Sequence, residues 1–344
     1  MFTDRRANSL RTTRRRQPWP KDRTFKILSL DGGGIKGIYT AELLHRCEET
    51  LGRGEPFARY FDMIAGTSTG GIIALGLGLG ISTADITAFY RDDGRKIFPP
   101  LPGRWLAKAR QWVRWRFLGP KLAHEELEKA LKHRFEDHLL GESAARLVIP
   151  AFMMPKTEVA VFKTDHHEDF RNDHLTPMWK VARSTSAAPT YLKGHEHEES
   201  GRIFIDGGVW ANNPVMVALV DALTAYDLTP EQIEVFSIGT GNAPFELSRP
   251  DVFGGMWAWK EVIKAAMFLT TDNATAQAKL LLGPDRCLRL EPAGEDALVE
   301  MDDYDAAFGR LPALAERDFA ANSVSIARFF AETAAPRERH YTQG

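Results

Sequence analysis

The chain has 344 residues, of which 44% are hydrophobic and 26% charged, and its formal net charge is −2. This composition argues against a disordered chain and fits one α/β domain with insertions as well as two average domains. Two distant cysteines, Cys47 and Cys287, argue against a disulfide framework and a thiolate metal site, and they fit a reducing cytoplasm.

The first 24 residues form a basic arm ahead of the first predicted strand. Residues 1–23 carry eight basic residues against two acidic ones, a net charge of +6. We expect a disordered, solvated arm, and contact with an anionic membrane or a nucleic acid is the alternative. No apolar stretch follows the arginines, so we predict no export signal. The longest apolar run, Gly70–Ile81, is well short of the roughly 20 residues that span a membrane.

From residue 25 onward, predicted strands alternate with predicted helices. FKILSL at 25–30 and FDMIAG at 61–66 are typical of buried strands, and each leads through a glycine-rich loop into a helix. Further strands are predicted at 146–153, 158–164, 202–206 and 233–241, and helices at 38–51, 83–93, 177–188 and 213–226. This alternation predicts an α/β fold with a mainly parallel central sheet flanked by helices.

The segment 95–121 breaks this alternation and is interpreted as an insertion. It contains eight basic residues and no acidic one, interleaved with the aromatic residues Phe98, Trp105, Trp112, Trp115 and Phe117. One interpretation is a membrane contact, with tryptophans at the lipid interface and basic residues at phosphates. The other is a helix with core tryptophans and a solvated basic face.

The sequence GTSTG at 66–70 is a GxSxG motif between a predicted strand and a predicted helix. This is the context of a nucleophile elbow, in which a sharp turn holds the serine in a strained backbone conformation. The flanking glycines, Gly66 and Gly70, are needed because a Cβ would clash at such a turn. The bare pattern is weak evidence, but its position makes Ser68 a candidate nucleophile.

The sequence DGGGIKG at 31–37 contains GxGxxG at Gly32, Gly34 and Gly37, again between a strand and a helix. A dinucleotide-binding loop needs an acidic residue about 20 positions on, at the end of the second strand. Glu55 has that distance but precedes the strand. A tight turn is another interpretation. We favour an oxyanion hole, because glycine amides at a helix N-terminus stabilise a developing negative charge.

Asp206 ends the predicted strand RIFID and is followed by Gly207 and Gly208. Such a sequence alone is often a turn. A serine nucleophile needs a base, however, and no histidine occupies a comparable position at the end of a strand. Asp206 is therefore the candidate general base.

Two pairs of histidines could suggest metal binding. His166 and His167 fall in the sequence DHHED, and His195 and His197 fall in HEHEES. Neither pair has a second ligand group at a recognisable spacing, so we expect solvated polar loops and no metal site.

Taken in order, these motifs resemble those of the patatin-like phospholipases. DGGGIKG resembles the glycine-rich oxyanion motif of the family, GTSTG its nucleophile elbow and DGG its catalytic aspartate motif. RSTSAAPTYL at 183–192 is similar to the small-residue helix end that precedes the aspartate strand. The resemblance runs from about Phe25 to Gly241, and it implies a three-layer patatin-like fold.

The resemblance implies a Ser-Asp dyad in place of the usual triad, with Ser68 as nucleophile and Asp206 as base. It places the oxyanion hole at Gly32, Gly33 and Gly34, with the amides of the last two as donors. The remaining motif glycines are Gly37, Gly66, Gly70, Gly207 and Gly208. The implied reaction is phospholipase A type hydrolysis of acyl esters of membrane phospholipids, which requires no metal or cofactor.

Three shorter segments, namely residues 162–173, IFPP and ANNP, resemble bacterial patatin-like effectors that cyclic dinucleotides activate in anti-phage defence. This implies a cyclic di- or trinucleotide activator, no nucleic acid polymer as partner, and a cytoplasmic protein that is peripheral at the inner membrane when active. The alternatives are a constitutive lipid acyl hydrolase, an inactive lipid-binding module with a patatin fold, or a nucleotide-dependent oxidoreductase.

The predicted organisation has three parts. The basic arm at 1–24 precedes a catalytic domain at 25–241, and residues 242–344 form a mostly helical extension packed on the same domain. The catalytic motifs do not reach this extension, which leaves a regulatory role or homo-oligomer formation open.

Overall fold

The computed structural model describes residues 14–99, 124–155, 157–189, 191–241 and 258–341, without the side chains of 258–267. Most of the predicted insertion, including Trp105, Trp112 and Trp115, lies outside the described residues.

Within the described residues, eight strands form one sheet. They are Phe25–Leu30 (β1), Met63–Gly66 (β2), Arg146–Met154 (β3), Glu158–Lys163 (β4), His195–His197 (β5), Arg202–Asp206 (β6), Ile233–Ile238 (β7) and Cys287–Leu290 (β8). The helices are Gly37–Leu51 (α1), Thr69–Leu79 (α2), Thr83–Asp92 (α3), Gly94–Ile97 (α4), His124–Phe135 (α5), Met178–Thr185 (α6), Gly208–Ala211 (α7), Val215–Ala225 (α8), Ala258–Leu282 (α9) and Tyr304–Ala327 (α10).

The strand order is β5-β6-β3-β2-β1-β7-β8, and β4 pairs with β3 outside this path. The central strands β3, β2, β1, β7 and β8 pair in parallel. Strands β4 and β6 are antiparallel to β3, and β5 is antiparallel to β6. The predicted α/β class with a mainly parallel sheet is confirmed, and the sheet carries an antiparallel edge that the sequence pattern did not predict.

The sheet lies between two apolar layers because successive side chains of a strand point to opposite faces. Leu28 and Leu30 of β1 join one buried cluster, which includes side chains of α1 and α10. Phe25 and Ile27 join the other, which includes side chains of α8 and α9. This arrangement is the three-layer fold that the sequence analysis predicted.

The C-terminal extension belongs to this fold on both faces of the sheet. Helix α10 packs in one layer and α9 in the other, and β8 extends the sheet beside β7. The edge strand β8 was not among the predicted strands. None of the helices within the described ranges is long and apolar enough to cross a membrane.

Part of the basic arm is ordered, so the prediction of a disordered arm is wrong for residues 14–24. The backbone N–H of Gln17 donates to the carbonyl of Ala225 at 2.8 Å. The Trp19 ring packs edge-on against Phe25, with 4.8 Å between ring centroids. The prediction weighed only the high positive charge of the arm. The Trp19–Phe25 contact and the Gln17–Ala225 hydrogen bond hold these residues against the folded domain.

Candidate active site

The carboxyl ends of three central strands bring the predicted motifs together. Leu30 at the end of β1 is in register with Gly66 at the end of β2 and with Ile238 at the end of β7. The loops that follow these strands therefore meet at one edge of the sheet, where ligands bind in open α/β folds. The antiparallel strand β6 carries Asp206 to a position opposite Ala151 of β3.

Ser68 lies in the turn between β2 and α2. Its backbone has φ 55° and ψ −121°, which is the strained conformation expected of a nucleophile elbow. The backbone N–H of Ser68 donates to Oγ1 of Thr185 at 3.0 Å, and its carbonyl accepts from the N–H of Ile72 at 3.0 Å. The surrounding hydrogen bonds hold the strained turn in place.

The two glycines of the elbow allow the backbone to pass very close to its neighbours. A Cβ at Gly66 would lie 2.2 Å from the carbonyl oxygen of Gly70. A Cβ at Gly70 would lie 2.3 Å from the carbonyl oxygen of Leu30. Real Cβ atoms cannot approach backbone oxygens so closely, so any larger residue would force this turn apart.

Asp206 lies beside Ser68 and is only 4% exposed. The Ser68 hydroxyl lies close enough to its carboxylate to lower its pKa, and its Oδ1 accepts a hydrogen bond from the backbone N–H of Gly208 at 2.7 Å. Burial raises the pKa of Asp206 to about 6, and these two neighbours only partly oppose that rise. A carboxylate of this basicity can take up a proton near neutral pH.

The end of α6 connects the two candidate catalytic residues. Thr185, which accepts the N–H of Ser68, donates through its hydroxyl to the carbonyl of Pro150 at 2.6 Å. The carbonyl of Thr185 accepts from the N–H of Gly207 at 3.3 Å, and the carbonyl of Ala187 accepts from the N–H of Asp206 at 3.1 Å. The small residues of this segment were recognised in the sequence, but the contacts of Thr185 with both Ser68 and Gly207 were not predicted.

The glycine loop 31–37, called the oxyanion loop below, lies against the serine turn. A Cβ at Gly32 would lie 3.2 Å from the Cβ of Ser68. The N–H of Gly32 donates to the carbonyl of Asn212 at 3.1 Å, so Gly32, which was predicted to be part of the oxyanion hole, does not offer its amide to a ligand. Among the described residues, the N–H groups of Gly33 and Gly34 have no hydrogen-bond acceptor. These two amides remain available to a ligand.

The other motif glycines also lie at close approaches. A Cβ at Gly37 would meet Oγ1 of Thr69 at 2.3 Å, and a Cβ at Gly207 would meet the carbonyl oxygen of Pro150 at 2.4 Å. Gly208 begins α7 and supplies the N–H that Asp206 accepts.

A cavity of about 50 Å³ opens beside Ser68 and Gly34. Its walls are mostly apolar and include Ile72, Phe89, Ile97, Phe98, Leu127 and Leu192. Phe98 belongs to the predicted insertion at 95–121 and Leu127 follows it, so the beginning of the insertion and the helix after it both contribute to this wall. The site therefore joins a polar pair to an apolar pocket.

The histidines do not lie in solvated loops, so that prediction is wrong. His166 and His167 are buried, and Nε2 of His166 bonds to Oδ2 of Asp221 at 2.7 Å. His195 and His197 lie in strand β5. The prediction rested on the polar sequence around the histidines, which does not show hydrogen-bond partners that are distant along the chain, such as Asp221 for His166. In the part of the chain that the structure describes, no group of three His, Cys, Asp or Glu residues could hold a metal ion.

Comparison with known proteins agrees with this geometry. Residues 28–219, more than half of the chain, match the patatin-like phospholipase family. The chain belongs to this family. The family assignment confirms the resemblance.

Several relatives have the name cGAMP-activated phospholipase. The chain is 35% identical over 222 residues to one from Pseudomonas aeruginosa, covering 63% of this chain and 62% of the relative. It is 32% identical over 255 residues to one from Vibrio cholerae, covering 69% and 71%. The chain thus matches just under two thirds of the Pseudomonas relative. The crystal structure of VipD from Legionella pneumophila covers 91% of the chain and aligns over 73% of its own length, with a TM-score of 0.39 and 12% identity.

Proposed function

We propose that the protein is a serine acyl hydrolase that cleaves fatty acyl esters of membrane phospholipids with a Ser68–Asp206 dyad. The observation that carries this proposal is the buried Asp206 beside the strained Ser68, which itself lines an apolar cavity. Family membership supports the same reaction class.

In the first half of the reaction, Asp206 takes the hydroxyl proton of Ser68 as Oγ attacks the ester carbonyl carbon. The carbonyl π electrons move onto its oxygen, and the amides of Gly33 and Gly34 stabilise that charge. Collapse of this intermediate breaks the ester C–O bond, and the departing alcohol oxygen takes the proton back from Asp206. The products are an acyl-serine and a lysophospholipid.

In the second half, water replaces the alcohol. Asp206 takes a proton from the water while the water oxygen attacks the acyl carbonyl carbon. The intermediate then collapses, the fatty acid leaves, and Asp206 returns the proton to Oγ of Ser68. The raised pKa of Asp206, about 6 against 3.8 for an ordinary aspartate, makes both proton transfers easier. No charged side chain is needed at the carbonyl for this sequence of steps.

The apolar cavity supports an acyl chain as the group next to the scissile bond. Aliphatic and aromatic side chains such as Ile72, Phe89 and Leu192 line it beside Ser68. Burial of methylene groups stabilises by roughly 0.8 kcal/mol each, so a fatty acyl chain gains more from this wall than a polar substituent. A lipid ester therefore fits the site better than a small polar ester.

The experiment is fatty acid release from defined phospholipid vesicles by wild type and Ser68→Ala. We expect Ser68→Ala to lose turnover by about 10³-fold or more while it keeps the fold, because one small side chain replaces another. A matched control is Ser184→Ala, which removes a buried hydroxyl that donates to the carbonyl of Lys180 at 2.7 Å. If Ser68→Ala keeps more than about 5% of the wild-type turnover, Ser68 is not the nucleophile.

A second part of the proposal is activation by a cyclic dinucleotide, with a role in anti-phage defence. The relatives named cGAMP-activated phospholipase support the activation, and the role in defence rests on the sequence resemblance alone. Such a ligand activates if it binds the competent conformation more tightly than the idle one, and a few kcal/mol of differential affinity is enough. Vesicle hydrolysis is measured with and without cGAMP and a panel of cyclic di- and trinucleotides. Full activity that no nucleotide changes indicates a constitutive acyl hydrolase.

Membrane contact through the predicted insertion is the third part. Its support is the sequence itself, in which Trp105, Trp112 and Trp115 alternate with basic residues. Replacing these three with Ala is expected to weaken vesicle binding more than hydrolysis of a short soluble ester. If both activities fall together with the melting temperature, the tryptophans belong to the core.

A further inference from the structure

An ion pair lies directly behind the oxyanion loop. Asp31, the first residue of the loop, is 1% exposed and faces Arg289 of β8. The Arg289 guanidinium donates from Nη1 to Oδ1 of Asp31 at 2.9 Å and from Nη2 to Oδ2 at 2.6 Å. Such a bidentate pair sets the orientation of the carboxylate as well as its distance.

The guanidinium is itself held on other sides. Its Nη1 also donates to the hydroxyl of Ser237 in β7 at 2.8 Å, and its Nη2 to Oε2 of Glu291 at 3.1 Å. The side chain of Arg289 is 7% exposed. A Cβ at Gly239 would lie 2.5 Å from Nη2, so β7 passes close to the guanidinium. The planar group therefore reaches from the edge strand β8 across β7 to the end of β1.

Further hydrogen bonds hold the oxyanion loop on either side of its two free amides. Before the two amides, the Thr240 hydroxyl donates to the carbonyl of Gly32 at 2.8 Å. After them, the N–H of Ile35 donates to the carbonyl of Met301 at 3.0 Å, and Nζ of Lys36 donates to the carbonyl of Gly241 at 2.5 Å. Asp31 stands just before Gly33 and Gly34 in the loop. Among the described residues, it is the one residue on that side of the two amides that holds the loop through an ion pair. A change in the position of the Asp31 carboxylate is passed to these amides through only two or three peptide units of backbone.

We propose that Arg289 is a positioning residue that fixes the oxyanion loop through Asp31, so that the amides of Gly33 and Gly34 point at the developing oxyanion. The inference rests on the proposed function, because it assumes that those amides stabilise a tetrahedral intermediate. It adds a residue of the C-terminal extension, outside the family match at 28–219, to the parts that the reaction requires.

Electrostatics favour an arginine at this position. Burial raises the pKa of Asp31 to about 6 even though Arg289 opposes the rise. Without the guanidinium, the buried carboxylate has no nearby compensating charge of equal strength, and it would protonate or turn towards water. A lysine supplies the charge but not the two parallel N–H groups, so it holds the carboxylate at one point only.

The test compares Arg289→Ala with wild type on a short soluble ester. We expect kcat to fall about 10- to 100-fold while KM stays within about twofold, since the interaction supports the transition state and not the bound ester. Added guanidinium at sub-denaturing concentration is expected to restore part of kcat by occupying the vacated space between Asp31 and Glu291. Methylammonium, a cation without the fork, is expected to restore less.

The matched control is Arg328→Ala, at the other end of β7. Arg328 lies 3.8 Å from Glu234 and donates to the carbonyl of Asp285 at 2.8 Å, and it is far from the oxyanion loop along the strand. We expect its kcat to equal that of wild type. If Arg289→Ala does not fold, Arg289→Lys replaces it, with an intermediate kcat expected.

The outcomes separate this inference from the proposed function. Ester hydrolysis that Ser68→Ala abolishes, together with an unchanged kcat in Arg289→Ala, overturns the inference alone. A lower kcat that follows only a lower folded fraction, with guanidinium restoring the melting temperature but not kcat, also overturns it. Wild type that shows no Ser68-dependent hydrolysis, and no labelling of Ser68 by a fluorophosphonate, in the presence of the cyclic di- and trinucleotide panel overturns both.

Discussion

Two buried aspartates with almost the same exposure differ in what surrounds them. Asp206 is 4% exposed and Asp221, in helix α8, is 2% exposed. Asp206 is contacted by the Ser68 hydroxyl and a backbone N–H, and burial raises its pKa to about 6. Burial would also raise the pKa of Asp221, but Lys163 and His166 outweigh it and hold that pKa well below the usual range.

The partners, and not the burial, decide what each carboxylate can do. Asp221 is an anchor: Lys163 and Nε2 of His166 bond to it, and Arg14 of the basic arm lies 3.5 Å away. A carboxylate compensated in this way stays ionised and takes no part in proton transfer. Within the described residues no Lys, Arg or His pairs with Asp206, which leaves it more basic and energetically costly, as expected of a catalytic base.

The largest effect is expected from removing the basic carboxylate. Asp206→Asn keeps the shape of the side chain but cannot accept the Ser68 proton, so turnover should fall by about 10²- to 10⁴-fold. The measurement is kcat on a soluble ester and on phospholipid vesicles. Near-normal turnover, combined with a loss of activity on substitution of His195 or His197, would identify a different base.

The same change at the anchoring carboxylate is expected to affect stability instead. Asp221→Asn leaves Lys163 without its buried partner, and we expect the free energy of unfolding to fall by about 3 kcal/mol at pH 7.5. The activity per folded molecule should stay near that of wild type. Urea unfolding measures the loss, and Asp227→Asn serves as control because the Asp227 side chain is exposed and lies 3.8 Å from the likewise exposed guanidinium of Arg16. Equal stability of the two variants would contradict the comparison.

The raised pKa of Asp206 predicts the pH dependence of the reaction. The base must be ionised, so kcat/KM should be constant above neutral pH and should fall about tenfold per pH unit below about 6. The profile is measured on a soluble ester between pH 4.5 and 8.5, a range chosen to bracket that pKa by about two units. A midpoint near 4 would mean that Asp206 is not the titrating base or that burial does not raise its pKa.

The smallest effect is a gain in stability from the inactivating Asp206→Asn change. The folded pKa of about 6 lies above the unfolded value of 3.8, so the ionised carboxylate destabilises the folded state at pH 7.5. Replacing it with a neutral amide should raise the free energy of unfolding by about 1 to 2 kcal/mol at that pH. The gain should shrink as pH falls through 6 and vanish below about 3.8, where Asp206 becomes protonated in both states. A loss of stability at pH 7.5 would contradict this assignment.

Local sequence was a good guide where a residue's role depends on its neighbours along the chain. The runs FKILSL and RIFID predicted strands at or close to their observed bounds, because apolar and β-branched residues in short runs favour a buried sheet. The position of GTSTG between a strand and a helix predicted the sharp turn at Ser68, because the flanking glycines permit the close backbone approach that such a turn needs. The family resemblance then assigned Asp206 as the partner of Ser68.

Other features depend on contacts between distant segments, and the sequence pattern could not reveal them. Polar surroundings predicted solvated histidines, yet His166 is buried because Asp221, 55 positions away, accepts its N–H. The charge of the basic arm predicted disorder, yet Trp19 finds an apolar surface on the sheet. The polarity of a segment indicates its preference for water but not which distant groups satisfy it.

The sequence by itself therefore determined the central strands and the helices that follow the first two motifs, the strained serine turn and the glycines that allow close backbone approach, all of which depend on residues a few positions apart. Only the tertiary structure decided which amides of the oxyanion loop remain free and which side chain braces the loop. The N–H of Gly32 donates to the carbonyl of Asn212, and Arg289 reaches Asp31 across 258 positions of sequence. Hydrogen bonds of this kind are set by the packing of strands side by side, which no local pattern records.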